Sequence, residues 1–195
     1  MPFDFSITIR PSSYLLDSIY QEVKNSNGWR VGGISGVENT NNYYVVDILE
    51  NVVSEQFNQF IRAKVYQLKE RFEMSISNFS VQANAYSKGF KGNIHNDFDY
   101  ENKGYPTHRI VFQFKNQNVQ GGELIFYKKT PQFPHEHTEI IRLSNVNHSE
   151  VFFQISTESY HGISLIDSGN RISLVINIWE AESIIPDYFL KTTWL

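Results

Sequence analysis

The chain reads as a mainly β domain, an antiparallel sandwich or barrel backed by helices in its N-terminal part. Beyond Phe79 the apolar residues gather into short segments rich in β-branched and aromatic side chains, at 81–86, 109–114, 124–127, 139–143, 151–155, 161–166 and 172–179. Clusters of Gly, Pro, Asn and Ser separate these segments. Ahead of Phe79 lie two stretches with helical rather than alternating apolar spacing. Helices first and short strands afterwards argue against alternating βα units and a parallel sheet.

Taken in order, Ser12 and Ser13 supply hydroxyl caps for a first helix whose apolar set is Tyr14, Leu15, Leu16, Ile19 and Val23, ending near Asn27-Gly28. Residues 30–42 carry Gly32, Gly33, Gly36 and several Asn and read as a loop, and 43–46 as a short strand. Ser54 is the candidate cap of a second helix with the stripe Phe57, Phe60, Ile61, Val65, Leu68 and Phe72, which leaves Glu55, Lys64, Lys69 and Glu70 on other faces. Pro131 and Pro134 mark 131–137 as a surface loop. Asp167-Ser168-Gly169-Asn170 reads as a turn. No repeat, low-complexity tract or linker divides the chain, so 1–195 is one expected domain, helical over about 1–78 and β over about 79–180.

Composition narrows the function classes. With 195 residues, 41% of them hydrophobic, a single sizeable core is expected. The net charge is −4 and no run of five or six like charges occurs, so a basic face for a phosphate backbone is missing and nucleic acid is a poor partner. The absence of cysteine removes disulfides, thiolate metal sites and Cys nucleophiles, leaving His and carboxylate as metal ligands. Met1-Pro2-Phe3-Asp4 lacks a charged and apolar leader, and no apolar run approaches the roughly 18 residues of a membrane span. A cytoplasmic protein without membrane contact is expected, with its oligomeric state open.

His95-Asn96-Asp97 is the first chemical signal. On an extended strand, residues two apart share a face, so both side chains can reach one metal, with His161 from a distant strand as a third ligand. Two histidines and a carboxylate form the facial triad of non-haem Fe(II) oxygenases, which leaves three adjacent positions open. Asp99 shares the face of Asp97 and is the alternative carboxylate. Arg171 follows His161 by ten residues. Its planar fork suits the far carboxylate of a keto-acid cosubstrate, although the turn before it is equally compatible with an exposed arginine. A 2-oxo acid could fill two open metal positions and O2 the third, and oxidative decarboxylation would release succinate and CO2.

Other residues stay open between roles. Ser173 shares the strand face of Arg171, and so do Asn177 and Trp179, which either line a pocket or pack the core. His108 and Arg109 open a strand, and Arg109 is a candidate substrate contact. His135-Glu136-His137 is a second pair at strand spacing, with His148 downstream; its place in a proline-marked loop favours solvated side chains over a metal site.

Asn84 and Tyr86 ahead of His95, Gly121-Gly122-Glu123-Leu124 between the histidines, and Arg171-Ile172-Ser173 after His161 complete an ordered pattern. In it the chain resembles the Fe(II)/2-oxoglutarate-dependent dioxygenases, particularly the prolyl-4-hydroxylase-like branch. The resemblance spans about half the chain, 84–179. It implies a double-stranded β-helix, the cupin-like jelly roll, with Fe(II) held by His95, Asp97 and His161. It also implies 2-oxoglutarate anchored on Arg171 with help from Tyr86, Ser173 and Asn84, O2 as oxidant, and ascorbate as a candidate reductant. Hydroxylation of a small metabolite, an amino acid or a peptidyl side chain would follow. Related halogenases lack the carboxylate, so Asp97 favours hydroxylation.

Two departures weaken the inference to proline. Phe114 stands where many relatives place a tyrosine, and Asn177 where they place a tryptophan. Rival readings are a catalytically idle metal-binding β-helix protein, a zinc hydrolase on the same ligands, and an alkylation-repair-type demethylase of nucleic acid. The last carries an Arg-x-Asn pair and a further arginine where this chain has Ser173 and Asn177.

Overall fold

The computed structural model describes residues 5–10, 13–32, 43–48, 54–98, 104–114, 118–130, 133–145 and 148–181. The strands are β1 (Phe5–Arg10), β2 (Arg30–Val31), β3 (Tyr43–Asp47), β4 (Ile76–Ser87), β5 (Gly92–His95), β6 (His108–Gln113) and β7 (Gln120–Gly121), followed by β8 (Leu124–Thr130), β9 (Phe133–Leu143), β10 (His148–Gln154), β11 (Tyr160–Ile163), β12 (Ile166–Ser168) and β13 (Asn170–Glu180). Helices α1 (Tyr14–Lys24) and α2 (Glu55–Arg71) precede β4. A seven-stranded sheet runs β1-β10-β6-β13-β4-β3-β2, a four-stranded sheet β5-β11-β8-β9, and a two-stranded ribbon β12-β7. Every pairing is antiparallel, as the expected jelly roll requires.

Both helices begin where the hydroxyl caps were read. Ser13 accepts from the Leu16 amide at 3.3 Å and Ser54 from the Phe57 amide at 3.1 Å, each satisfying a donor that the helix leaves open. Leu16, Ile19 and Val23 of α1 and Phe57, Ile61, Val65 and Leu68 of α2 are buried and join one cluster with Phe79, Val81, Ala83, Ile110, Phe112, Leu174 and Ile176. The helices therefore cover the outer face of the large sheet. Its inner face packs on the small sheet through Val111, Val151, Phe153 and Val175 against Leu124, Phe126 and Leu143.

Three expectations need correction. The part read as helical, with a strand expected at 43–46 alone, also supplies β1 and β2 to the large sheet, β1 pairing with β10 from Phe5↔Phe153 to Arg10↔His148. The segment read as a loop at 131–137 is strand from Phe133 onward, paired to β8 with a register shift at Thr130 that accommodates the proline-marked start. Lys64 lies within the buried stripe of α2 rather than on another face, because its ammonium meets Glu150 of β10 at 2.5 Å. The turn at 167–170 carries the chain from one sheet to another, since β12 pairs with β7 while β13 pairs with β4 and β6. Among the described residues no helix is long and apolar enough to cross a membrane.

Candidate metal centre and anion site

Alternation along β13 decides what faces the sandwich interior. Ile172, Leu174, Ile176 and Ile178 join the helix-side cluster, so Arg171, Ser173, Val175, Asn177 and Trp179 face inward. Ladder partners share a face, which places Tyr86, Asn84 and Ser80 of β4 opposite Arg171, Ser173 and Asn177 on the same inner surface. From the other side β6 brings Gln113 beside Ser173 and Arg109 beside Asn177. A polar row thus crosses three central strands of an otherwise apolar interior.

His95 and His161 are direct cross-strand partners between β5 and β11, with ring centroids 4.5 Å apart. Close approach of the two strands uses Gly92 and Gly162. A Cβ on Gly162 would lie 3.1 Å from the Gly92 carbonyl oxygen, and one on Gly92 3.1 Å from the Ile163 nitrogen. The strand ends at His95, so Asp97 sits just past it rather than on it as the spacing predicted. Its carboxylate still reaches both rings, with Oδ1 3.7 Å from His95 Nε2 and Oδ2 3.3 Å from His161 Nε2. Among the described residues this is the group of three whose ligand atoms, all within 4.8 Å of one another, could hold a metal ion. Asp99 lies outside the described residues.

The hydrogen bonds behind the rings set their tautomers. Nδ1 of His95 lies 2.8 Å from the Asn93 carbonyl oxygen and Nδ1 of His161 3.0 Å from that of Ser159. A carbonyl only accepts, so each Nδ1 donates there, and Nε2 is the ring atom on the Asp97 side that a metal could use. Burial and the nearby His161 lower the His95 pKa against the pull of Asp97, which favours the neutral, ligating ring. Burial alone would raise the Asp97 carboxyl, but Arg109 beside it and the two histidines outweigh that and hold it well below the usual carboxylate range.

Arg109 donates from Nη1 to Asp97 Oδ2 and from Nε to Asn177 Oδ1 at 2.8 Å, and Asn177 Nδ2 donates to Ser80 Oγ at 3.2 Å. This chain of contacts orients the carboxylate from behind. Trp179 is fully buried, its indole N–H donated to the Gly104 carbonyl at 3.1 Å.

Arg171 is 2% exposed. Its guanidinium lies 5.3 Å from the centre of the Tyr86 ring, and Nη1 donates to Ser173 Oγ at 3.4 Å. Nε has no partner, and among the described residues no carboxylate forms a salt bridge with it. Burial lowers the Arg171 pKa, opposed by Tyr86, yet a guanidinium stays charged in proteins. A buried, unpaired cation costs several kcal/mol, which an anionic ligand would offset. Tyr86 is held in place by stacking on Tyr43 at 5.0 Å, and the Tyr43 hydroxyl donates to Asn84 Oδ1 at 3.2 Å.

The glycines of the Gly-Gly-Glu segment complete the cradle. Gly122, at φ +70°, lies so close to Arg171 that a Cβ would stand 3.3 Å from its Cδ and 2.9 Å from Ile166 Cγ1. At Gly121, φ +74°, a Cβ would overlap the Leu165 carbonyl oxygen.

Phe114 does not occupy an inner position. It packs with Tyr20, Phe112 and His148 on the helix side, and Gln113 is the β6 residue on the inner face, opposite Ser173. Gln113 and Tyr43 are the inner residues that sequence reading passed over. The second histidine pair is not assembled with His148. His137 lies against Tyr160, 4.6 Å between centroids, whereas His148 packs on Phe112 and Phe114 beside Asp17, and the side chain of His135 lies outside the described residues.

Comparison with solved structures finds the same architecture. A Pseudomonas putida prolyl-4-hydroxylase superposes with a TM-score of 0.64 at 15% identity, over 91% of this chain and 92% of that one. A Trichoplax adhaerens prolyl hydroxylase in complex with a hypoxia inducible factor peptide fragment gives 0.70 at 15% identity, over 90% and 83%. The chain shares its fold with these two proteins. The same fold is shared with SnoN, a non-haem, α-ketoglutarate-dependent epimerase from nogalamycin biosynthesis, at 0.64 and 11% identity over 93% and 80%. No protein-family model matches the sequence, and no curated protein matches it.

Proposed function

We propose that this protein is a non-haem Fe(II)- and 2-oxoglutarate-dependent oxygenase that hydroxylates a C–H bond of a small metabolite, amino acid or peptidyl side chain. The observation that carries this reading is the pairing of a His95–Asp97–His161 cluster with a buried arginine that has no acidic partner among the described residues, within one sandwich interior. Neither half alone is as telling, since metal clusters occur in hydrolases and buried arginines in structural ion pairs.

His95, Asp97 and His161 would hold the iron through two Nε2 lone pairs and a carboxylate oxygen. Bound iron, 2-oxoglutarate and O2 together supply an oxidant for an unactivated C–H bond, with release of succinate and CO2. The chain's own residues do the positioning. Arg109 keeps Asp97 ionised and oriented, which favours one of its oxygens for the metal. Arg171 and Ser173 would bind the distal carboxylate, with Tyr86 and Asn84 closing that end against water. Asp97 takes the place that a halide would need, which supports hydroxylation over halogenation. Arg109 is engaged by Asp97 and Asn177, so substrate recognition falls to the exposed side chains flanking His95 in the chain, Ile94 and Phe98.

A screen for succinate over amino acids, peptides and short oligonucleotides, with Fe(II) and ascorbate, tests the reading. His95→Ala is expected to abolish turnover, and Arg171→Ala to raise the 2-oxoglutarate requirement. Turnover confined to oligonucleotides would point to the demethylase alternative, and turnover unaffected by Arg171→Ala would remove the anchor.

A further inference from the structure

Gln113 has no place in the roles given above, yet it is among the most deeply enclosed polar side chains, 1% exposed. It lies opposite Ser173 on the β13–β6 ladder and opposite Ser149 on the β10–β6 ladder, so all three side chains share the inner face. Ser149 Oγ donates to Gln113 Oε1 at 3.0 Å. Because that contact claims the amide oxygen, the amide nitrogen is turned the other way, and Nε2 has no partner. Arg171 Nε, two residues along β13 from Ser173, is likewise buried and unpaired. Between them Ser173 Oγ accepts from Arg171 Nη1, which leaves the hydroxyl proton for a ligand.

Unmade donors at such depth are costly, and natural interiors rarely leave them so. Gln113 stands opposite Ser173, which itself meets the guanidinium, so an amide N–H, a hydroxyl and a guanidinium occupy neighbouring positions of one inner face, a donor set that suits the lone pairs of a carboxylate. Phe114, the aromatic neighbour, is turned toward the helices and contributes nothing here.

We propose that Gln113, oriented by Ser149, donates to the distal carboxylate of the 2-oxo acid that Arg171 holds, and that this contact selects diacids over short 2-oxo acids. The inference rests on the 2-oxoglutarate reading above. Gln113 is the selecting residue and Ser149 a positioning residue, since Ser149 acts through the amide.

The test is calorimetric titration of the Mn(II)-loaded, full-length protein with 2-oxoglutarate and, separately, with 2-oxobutyrate, which lacks the distal carboxylate. Gln113→Leu is expected to weaken 2-oxoglutarate binding about tenfold or more while changing 2-oxobutyrate binding by less than about twofold. Ser149→Ala is expected to weaken 2-oxoglutarate alone by about threefold, with Ser149→Thr restoring it. Should Gln113→Leu not fold, the serine pair carries the test. Equal weakening of both acids, or none of either, overturns the proposal. Loss of 2-oxoglutarate binding in Arg171→Ala but not in Gln113→Leu overturns it while leaving the function reading intact. No binding to the unaltered Mn(II) protein overturns both.

Discussion

At the scale of single residues, the site depends on contacts one step behind the ligands. Asp97 bears a charge because Arg109 donates to it, and Arg109 is in turn aligned by Asn177 and Ser80. Arg109→Leu is therefore expected to lower Mn(II) or Fe(II) affinity about 10- to 100-fold, read by metal titration. Unchanged affinity would reduce Arg109 to a surface role. Gly122 makes a second residue-scale prediction. Alanine there combines a left-handed backbone with a Cβ only 2.9 Å from Ile166 and 3.3 Å from Arg171, so Gly122→Ala is expected to cost about 1–2 kcal/mol in urea denaturation. It should also raise the 2-oxoglutarate requirement, because the arginine is one of the two neighbours that must give way.

The His95, Asp97 and His161 cluster and the buried Arg171 were legible in sequence because a period of two, a turn and a cation each leave a local trace. Gln113 left none. Residues 110–113 are buried on both faces of β6, so no polar alternation marks the inner side, and phase came from the nearest aromatic, Phe114. Only the registers with Ser173 and Ser149 reveal which residue lies on the inner face.

Elements show the same division between local and long-range information. The helices were readable from hydroxyl caps and apolar stripes, and Ser54→Ala is expected to cost about 1 kcal/mol in thermal or urea unfolding. Lys64 was misplaced because its reason for burial, Glu150, lies on β10 and is distant in sequence. Removing one partner of such a buried pair leaves an uncompensated charge. Lys64→Ala is expected to destabilise by about 3 kcal/mol or more, whereas Lys64→Met with Glu150→Leu should stay near the parent stability. Denaturation midpoints of the two variants decide this, and equal losses in both would contradict the account. The start of β9 was hidden by its prolines, which normally punctuate loops, and a register shift at the strand's edge position accommodates the segment instead. β1 is too short to stand alone and is held by its ladder to β10 and by Ile7, which packs against the inner cluster.

For the whole molecule, the large sheet divides two tasks. Its outer face is packed by helices through an apolar cluster that contains no inner polar residue. Its inner face carries the polar row from Ser80 to Gln113, closed by a small sheet whose strands β5 and β11 deliver the two histidines. The helices therefore hold the inner face rigid without touching the chemistry, and the Lys64 and Ser54 variants should shift stability while leaving 2-oxoglutarate affinity unaltered. Fold class was predictable from the order of helical and strand patterns, whereas the meeting of cation and metal cluster depends on β13 leaving the small ribbon for the large sheet at Gly169.

The most direct test of iron- and 2-oxoglutarate-dependent oxygenation is the stoichiometry of succinate formed to 2-oxoglutarate consumed, followed with Fe(II) in the presence and absence of O2. The account predicts equal amounts of both in O2, none without it, and none with Asp97→Ala. Succinate formed anaerobically, or no consumption of 2-oxoglutarate by the iron-loaded protein in O2 with ascorbate, would contradict it.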